Sequence, residues 1–131
     1  KAANSTEFDE KTKHPLVHIL PDQNLNKLGG TMRLGNWDCQ IKANSLASHI
    51  YKKKMITERH RHRYEVNSAY LKQLEAQGLI FTGISKIGRL PEIVELKNHK
   101  FFIGVQFHPE YNSTPISPNP VFVKFIEKII N

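Results

Sequence analysis

His108, Pro109 and Glu110 close an apolar run, Phe101-Phe102-Ile103-Gly104-Val105-Gln106-Phe107, and bring together the side chains best suited to chemistry. An imidazole titrates near neutrality, so it can take and return a proton at physiological pH. A carboxylate two residues away can orient the ring and favour its protonated form. Proline between them fixes φ and cannot donate to a sheet, so a strand should stop there and the chain turn. Such a pair serves nucleophilic or acid–base catalysis once a nucleophile is supplied. A surface histidine at a strand end explains the same tripeptide.

A second segment is rich in functional side chains: Ile56-Thr57-Glu58-Arg59-His60-Arg61-His62-Arg63-Tyr64-Glu65-Val66. If extended, Glu58, His60, His62, Tyr64 and Val66 share one face, and Arg59, Arg61, Arg63 and Glu65 share the other. Two histidines on one face can begin a zinc site, and a zinc hydrolase centred on His60, His62 and His108 is one alternative. No further ligands stand at familiar spacing. Alternating arginines grip phosphates or a carboxylate, so a nucleic-acid-binding module using Arg59, Arg61 and Arg63 with Tyr64 is another alternative. A solvated basic strand carries equal weight.

In Gly29-Gly30-Thr31-Met32-Arg33-Leu34-Gly35 the glycines permit close backbone approach, and Arg33 could sit over an anionic group. The spacing is neither a Walker A loop nor a dinucleotide fingerprint, and an ordinary loop-to-strand junction accounts for it. Cys39 lies between Asp38 and Gln40, without the small neighbours that a strained nucleophile elbow needs. It reads as a core or strand thiol.

The elements that must position these groups follow from local pattern. Asn4-Ser5-Thr6-Glu7 reads as a turn, Leu16–Leu20 as a strand, and Pro21-Asp22-Gln23-Asn24 as the start of a loop reaching Gly29-Gly30. Trp37–Ile41 continues as strand and Ser45–Tyr51 as a short helix. Asn67 caps a helix over Ser68–Gln77 that ends at Gly78. Leu79–Ser85 and Glu92–Leu96 pair across the turn Lys86-Ile87-Gly88-Arg89. The Phe101 run has the composition of a strand buried on both faces. Tyr111–Pro120 is a loop, and Pro120 opens a last helix in which Phe122, Phe125, Ile126 and Ile129 recur at helical spacing.

The 131 residues suit one domain with a real core, and no apolar run approaches the length of a membrane span. Nineteen Lys and Arg against twelve Asp and Glu leave a net charge of +7. That balance permits nucleic-acid or nucleotide binding without requiring it. One cysteine excludes an internal disulfide framework and fits a reducing compartment.

Three segments together resemble one family, the carboxyl-terminal glutaminase domain of CTP synthase. They are Leu28-Gly29-Gly30-Thr31-Met32-Arg33-Leu34-Gly35, Glu58-Arg59-His60-Arg61-His62-Arg63-Tyr64-Glu65-Val66-Asn67, and Gln106-Phe107-His108-Pro109-Glu110. Asn4-Ser5-Thr6-Glu7-Phe8, Ser113-Thr114-Pro115 and the Phe122 helix are similar to that family too, so the resemblance covers essentially the whole chain. It implies an α/β, class I glutamine amidotransferase-like three-layer fold, with residues 1–131 as its carboxyl-terminal portion only. It implies hydrolysis of glutamine by a Cys-His-Glu triad, the ammonia passing to a synthetase domain that aminates ATP-activated UTP to CTP.

By matching position, His108 is implied as the triad base and Glu110 as its orienting carboxylate. Glu7 is implied to contact the glutamine α-amino group, and Arg63 with Tyr64 to hold the α-carboxylate end. Thr31 and Arg33 match the part of the family associated with GTP, its activator. The resemblance implies no metal ligand here, ATP and Mg in the synthetase domain, and a cytoplasmic homotetramer that binds neither nucleic acid nor membrane. The His-x-His pair then serves as scaffolding. The family's nucleophilic cysteine lies in a glycine-flanked elbow ahead of the segment matching Asn4, and the sequence starts at Lys1. The expectation is therefore a partial domain holding two of three triad residues and inactive alone. Two departures, Lys100 in place of a common proline and Pro91 at a strand position, bear on hairpin detail.

Overall fold

The β-branched and aromatic runs of this sequence fold as strands, and its short polar segments form caps and turns. The computed structural model describes residues 2–19 and 32–130. Its strands are β1 (Asn4–Ser5), β2 (Pro15–Ile19), β3 (Arg33–Ile41), β4 (Met55–His62), β5 (Tyr64–Val66), β6 (Leu79–Ser85), β7 (Pro91–Leu96) and β8 (Ile103–Val105). The helices are α1 (Leu46–Tyr51), α2 (Leu71–Ala76) and α3 (Pro120–Ile130), with 3₁₀ turns over Ser68–Tyr70 and Pro109–Asn112. Leu20, Thr31 and the expected loop between them lie outside the described residues. No described helix is long and apolar enough to cross a membrane.

Strands β1, β2 and β5 form a small sheet in that order, β1 parallel to β2 and β2 antiparallel to β5. Asn4-Ser5, expected as part of a turn, is thus a short parallel strand, and Thr6 N–H donates to Val17 C=O at 3.0 Å. The second sheet has the order β4-β3-β6-β7-β8, every neighbouring pair antiparallel. Strand β3 begins at Arg33, ahead of the expected Trp37, because it pairs with β4 from Arg33 opposite His62 to Gln40 opposite Met55.

Along β4 the side chains alternate, Ile56, Glu58 and His60 buried and Met55, Thr57, Arg59 and Arg61 exposed. The alternation ends at Arg63, where the chain passes from the large sheet to the small one. Crossing sheets resets the period, so Glu65 is fully buried and does not share a face with the arginines.

The Phe101 run is not the doubly buried strand that its composition suggests. Three of its residues pair, at the edge of the large sheet, and then the chain departs. Gln106 N–H still donates to Glu92 C=O on β7, but His108 N–H donates to Arg59 C=O at 2.8 Å, on the opposite edge strand β4. The segment after β8 therefore links the two edges of the large sheet. Phe107 enters the core there, beside Cys39, Ile41, Ala47, Ile56 and Ile93.

Local caps hold the helices. Ser45 and Ser48 cap α1 reciprocally, and the Glu95 carboxylate on β7 accepts the Leu46 and Ala47 N–H groups at 2.9 and 2.8 Å. Asn67 caps the 3₁₀ turn ahead of α2, and Gly78 follows at φ 92°, a left-handed conformation glycine adopts freely. Pro91 stands first in β7, where a strand tolerates proline. Helix α3 begins at Pro120 as expected, with Val121 its one buried side chain.

Candidate functional site

Pro109 is buried at the start of the 3₁₀ turn, where its missing N–H leaves no bond unmade, and His108 immediately precedes it. The His108 Nδ1 atom lies 2.7 Å from Glu110 Oε1. When Nδ1–H donates to the carboxylate, Nε2 is left for a reacting group. The Tyr111 ring stacks on the imidazole with centroids 5.2 Å apart, and the Arg59 guanidinium lies 5.9 Å from the Tyr111 ring. Both members of the pair reach solvent, with side chains 37% and 54% exposed. Slight burial pushes the Glu110 carboxyl up, but the His108 hydrogen bond and charge outweigh it and hold the group below its ordinary value.

Arg63 and Tyr64 sit where β4 gives way to β5. Arg63 is half-buried, and among the described residues its enclosed Nε meets no hydrogen-bond acceptor. Tyr64 C=O accepts from Gln106 Nε2 at 2.9 Å, tying this joint to the segment that ends in His108. In the small sheet Ser5 is level with Val17, and Ile19 is paired with Tyr64. The turn after β1, with exposed Glu7, therefore leaves the same end of that sheet as Tyr64, with β2 between them.

Arg33 is placed differently from its expected role. Only 4% exposed, it faces two carboxylates and not an outside anion. Its Nη1 donates to Glu65 Oε1 at 3.1 Å, and its Nη2 lies 2.7 Å from Glu92 Oε1. The guanidinium also sits 4.6 Å from the Trp37 ring centre. His62 Nε2 shares Glu65 Oε1 at 2.8 Å, and His60 Nε2 lies 3.4 Å from Glu92 Oε2. Burial, with the Arg33 charge behind it, pushes His60 down to about 3, and burial pushes Glu92 up to about 7.

These contacts answer the two alternatives. His62 bonds the Glu65 carboxylate and His60 faces Glu92 inside the fold, and among the described residues no group of three or more His, Cys, Asp or Glu side chains is placed to hold a metal ion. Arg59 and Arg61 lie on β4, whereas Arg63 stands at the joint beyond it, so the three do not form one basic row. The sequence assigns no role to Glu92 or Gln106, and its alternation puts Glu65 on the arginine face. Only the alternation along β4 hinted at buried polar groups, and its reset at Arg63 concealed Glu65.

Cys39 is 1% exposed, and burial, then the nearby Glu92 charge, pushes its thiol up to about 12. A thiol so protonated is a poor nucleophile at neutral pH.

A family model for glutamine amidotransferase class-I matches residues 6–128. The chain belongs to the class-I glutamine amidotransferase family. It is 55% identical over 130 residues to a CTP synthase of Flavobacterium johnsoniae, covering 98% of this chain and 24% of that protein. It is 53% identical over 125 residues to a CTP synthase of Aquifex aeolicus, covering 95% of this chain and 24% of that protein. The chain thus spans about a quarter of the length of the curated relatives it matches. A solved Trypanosoma brucei CTPS glutaminase domain with bound acivicin superposes with a TM-score of 0.88 at 40% identity. That match covers 97% of this chain and 50% of the solved one. The mixed α/β architecture is therefore a class-I glutamine amidotransferase fold, and the matched residues 6–128 include the Arg63–Tyr64 joint and the His108–Glu110 turn.

Proposed function

We propose that this chain is the part of a CTP synthase glutaminase domain that carries the base and its orienting acid. The observation behind the proposal is the His108–Glu110 contact of 2.7 Å in a chain about half identical to CTP synthases. In the intact enzyme a cysteine thiolate attacks the glutamine amide, and the departing ammonia needs a proton. His108 Nε2 accepts the thiol proton and then delivers one to the leaving nitrogen, while Glu110 holds the ring through Nδ1 and stabilises its charge. Arg63 pairs with the substrate carboxylate, with Tyr64 beside it, and Glu7 meets the α-amino group. A guanidinium fork suits a carboxylate because it binds two oxygens at once.

The nucleophile, on this proposal, is a cysteine other than Cys39, and the isolated chain is inactive. Glutamine is the substrate, and a synthetase domain of the same protein, a cytoplasmic homotetramer, uses the ammonia to aminate UTP. ATP and Mg belong to that domain, and no residue of this chain is assigned to them. The GTP role carried by Arg33 does not fit, because its guanidinium is enclosed and paired with Glu65 and Glu92. Thr31 lies outside the described residues.

Two nitrogen sources test the proposal. In the intact enzyme His108→Ala should abolish CTP formation from glutamine while externally supplied ammonia still supports it. Glu110→Ala should do the same to a smaller degree. An unchanged ratio between the sources would remove His108 from the mechanism.

A further inference from the structure

We infer that Glu58 is a positioning residue for the His108–Glu110 pair, an assignment that rests on the catalytic role proposed above for His108. Glu58 lies on β4 and is 3% exposed, next to Arg59, whose carbonyl accepts the His108 N–H. Its carboxylate accepts three hydrogen bonds, all from neutral donors. Tyr51 Oη and Asn119 Nδ2 donate to Oε1 at 3.0 and 2.9 Å, and Asn112 Nδ2 donates to Oε2 at 2.7 Å. Among the described residues none of the ion pairs involves Glu58. Burying a carboxylate is costly, and hydrogen bonds are what make it tolerable.

Where those bonds lead gives Glu58 its role. Tyr51 ends α1, Asn119 precedes α3, and Asn112 is the last residue of the 3₁₀ turn. The catalytic turn is therefore pinned to adjacent residues of one strand. At its start His108 N–H meets the Arg59 carbonyl, and at its end the Asn112 amide meets the Glu58 carboxylate. Pro109, Glu110 and Tyr111 lie between these pins. Beyond β4 the chain passes through Arg63 to Tyr64 at the start of β5, the two residues assigned above to glutamine. Glu58 thus sets the spacing between the base and the groups that hold its substrate.

The hydrogen-bond pattern also separates the informative substitutions. Asn119 cannot reverse its amide without loss, since its Oδ1 accepts from Val121 N–H at 3.1 Å while its Nδ2 serves Glu58. Asn112 meets Glu58 through Nδ2 alone. A glutamine at position 58 keeps an oxygen for Tyr51 and Asn119, and a reversed Asn112 amide accepts from its nitrogen.

The experiment uses the intact enzyme with glutamine and with ammonia as alternative nitrogen sources, and His108→Ala as the control. Asn112→Ala removes the pin and leaves Glu58 bonded to Tyr51 and Asn119. It should lower glutamine-dependent kcat by roughly 10- to 100-fold, the scale of a misplaced catalytic group. Glutamine KM should stay within about twofold, because substrate binding is not touched. Ammonia-dependent synthesis should be unchanged. Glu58→Ala should lose at least as much, and Glu58→Gln should retain most of the activity. If Glu58→Ala does not fold, Asn112→Ala alone carries the test. Unchanged glutamine-dependent kcat in Asn112→Ala, beside a His108→Ala control that has lost it, overturns the inference and leaves the catalytic reading standing. Equal losses with both nitrogen sources and a lowered Tm make the contact merely structural, which also overturns it. A His108→Ala control with both sources intact removes the catalytic reading itself.

Discussion

The fully buried Glu65 carboxylate lies 3.1 Å from the Arg33 guanidinium, and the same oxygen accepts from His62 at 2.8 Å. Arg33 begins β3 and Glu65 sits on β5, so the pair joins the large sheet to the small one at the joint holding Arg63 and Tyr64. Attraction between buried charges barely repays their desolvation, but removing one partner strands the other.

Arg33→Ala takes the guanidinium from Glu92 and leaves Glu65 with His62 alone. It should cost about 3–5 kcal/mol of stability, the scale for breaking a buried ion pair. Denaturant unfolding followed by Trp37 fluorescence measures it, Trp37 being the single tryptophan of this chain. A loss well below 1 kcal/mol would mean that the acids find water or another partner.

The neighbouring Glu92 and His60 give stability two opposed pH dependences. Glu92 is raised from 4.5 to about 7, so between those values the folded protein holds a proton that the unfolded chain has released. Its contribution is full below pH 4.5 and is lost as pH rises towards 7. His60 is lowered from 6.5 to about 3, so between those values the unfolded chain binds a proton that the folded protein refuses. Its contribution rises with pH across that window. Glu92→Gln should therefore gain stability relative to wild type as pH goes from 4.5 to 7, and His60→Asn should lose it from pH 3 to 6.5. Unfolding free energies taken at half-unit pH steps check both, and a flat difference for either variant excludes titration of that group.

Cys39 should resist alkylation in the folded protein and react readily once unfolded, because the thiolate is the reactive form and its thiol is buried and protonated. Mass spectrometry after timed iodoacetamide treatment reads this directly. Cys39→Ala should leave glutamine-dependent synthesis in the intact enzyme in place. Its loss, with ammonia-dependent synthesis kept, would make Cys39 the nucleophile.

Arg63→Ala should impair glutamine use by leaving the substrate carboxylate without its partner, a loss of roughly 2–5 kcal/mol in kcat/KM if the pair is desolvated. Synthesis from ammonia should continue. Equal decline of both routes would make Arg63 part of the scaffold.

Residue order alone determined the features whose causes are local. The turn at Pro109 follows from a fixed φ and a missing N–H, and the short step from His108 to Glu110 lets the carboxylate meet the ring. The caps at Ser45 and Asn67 and the stop at Gly78 are equally short-range. The tertiary structure alone decided what lies across the sheets. Arg33 reads in sequence as a cation awaiting an anion, and which anion it meets depends on β7 standing two strands away and β5 leaving the joint at Arg63. The Phe101 run has the composition of a buried strand, yet it becomes a brief edge strand because the chain crosses from β7 to β4. Strand order and sheet crossings are long-range consequences of packing, and local periodicity carries no record of them.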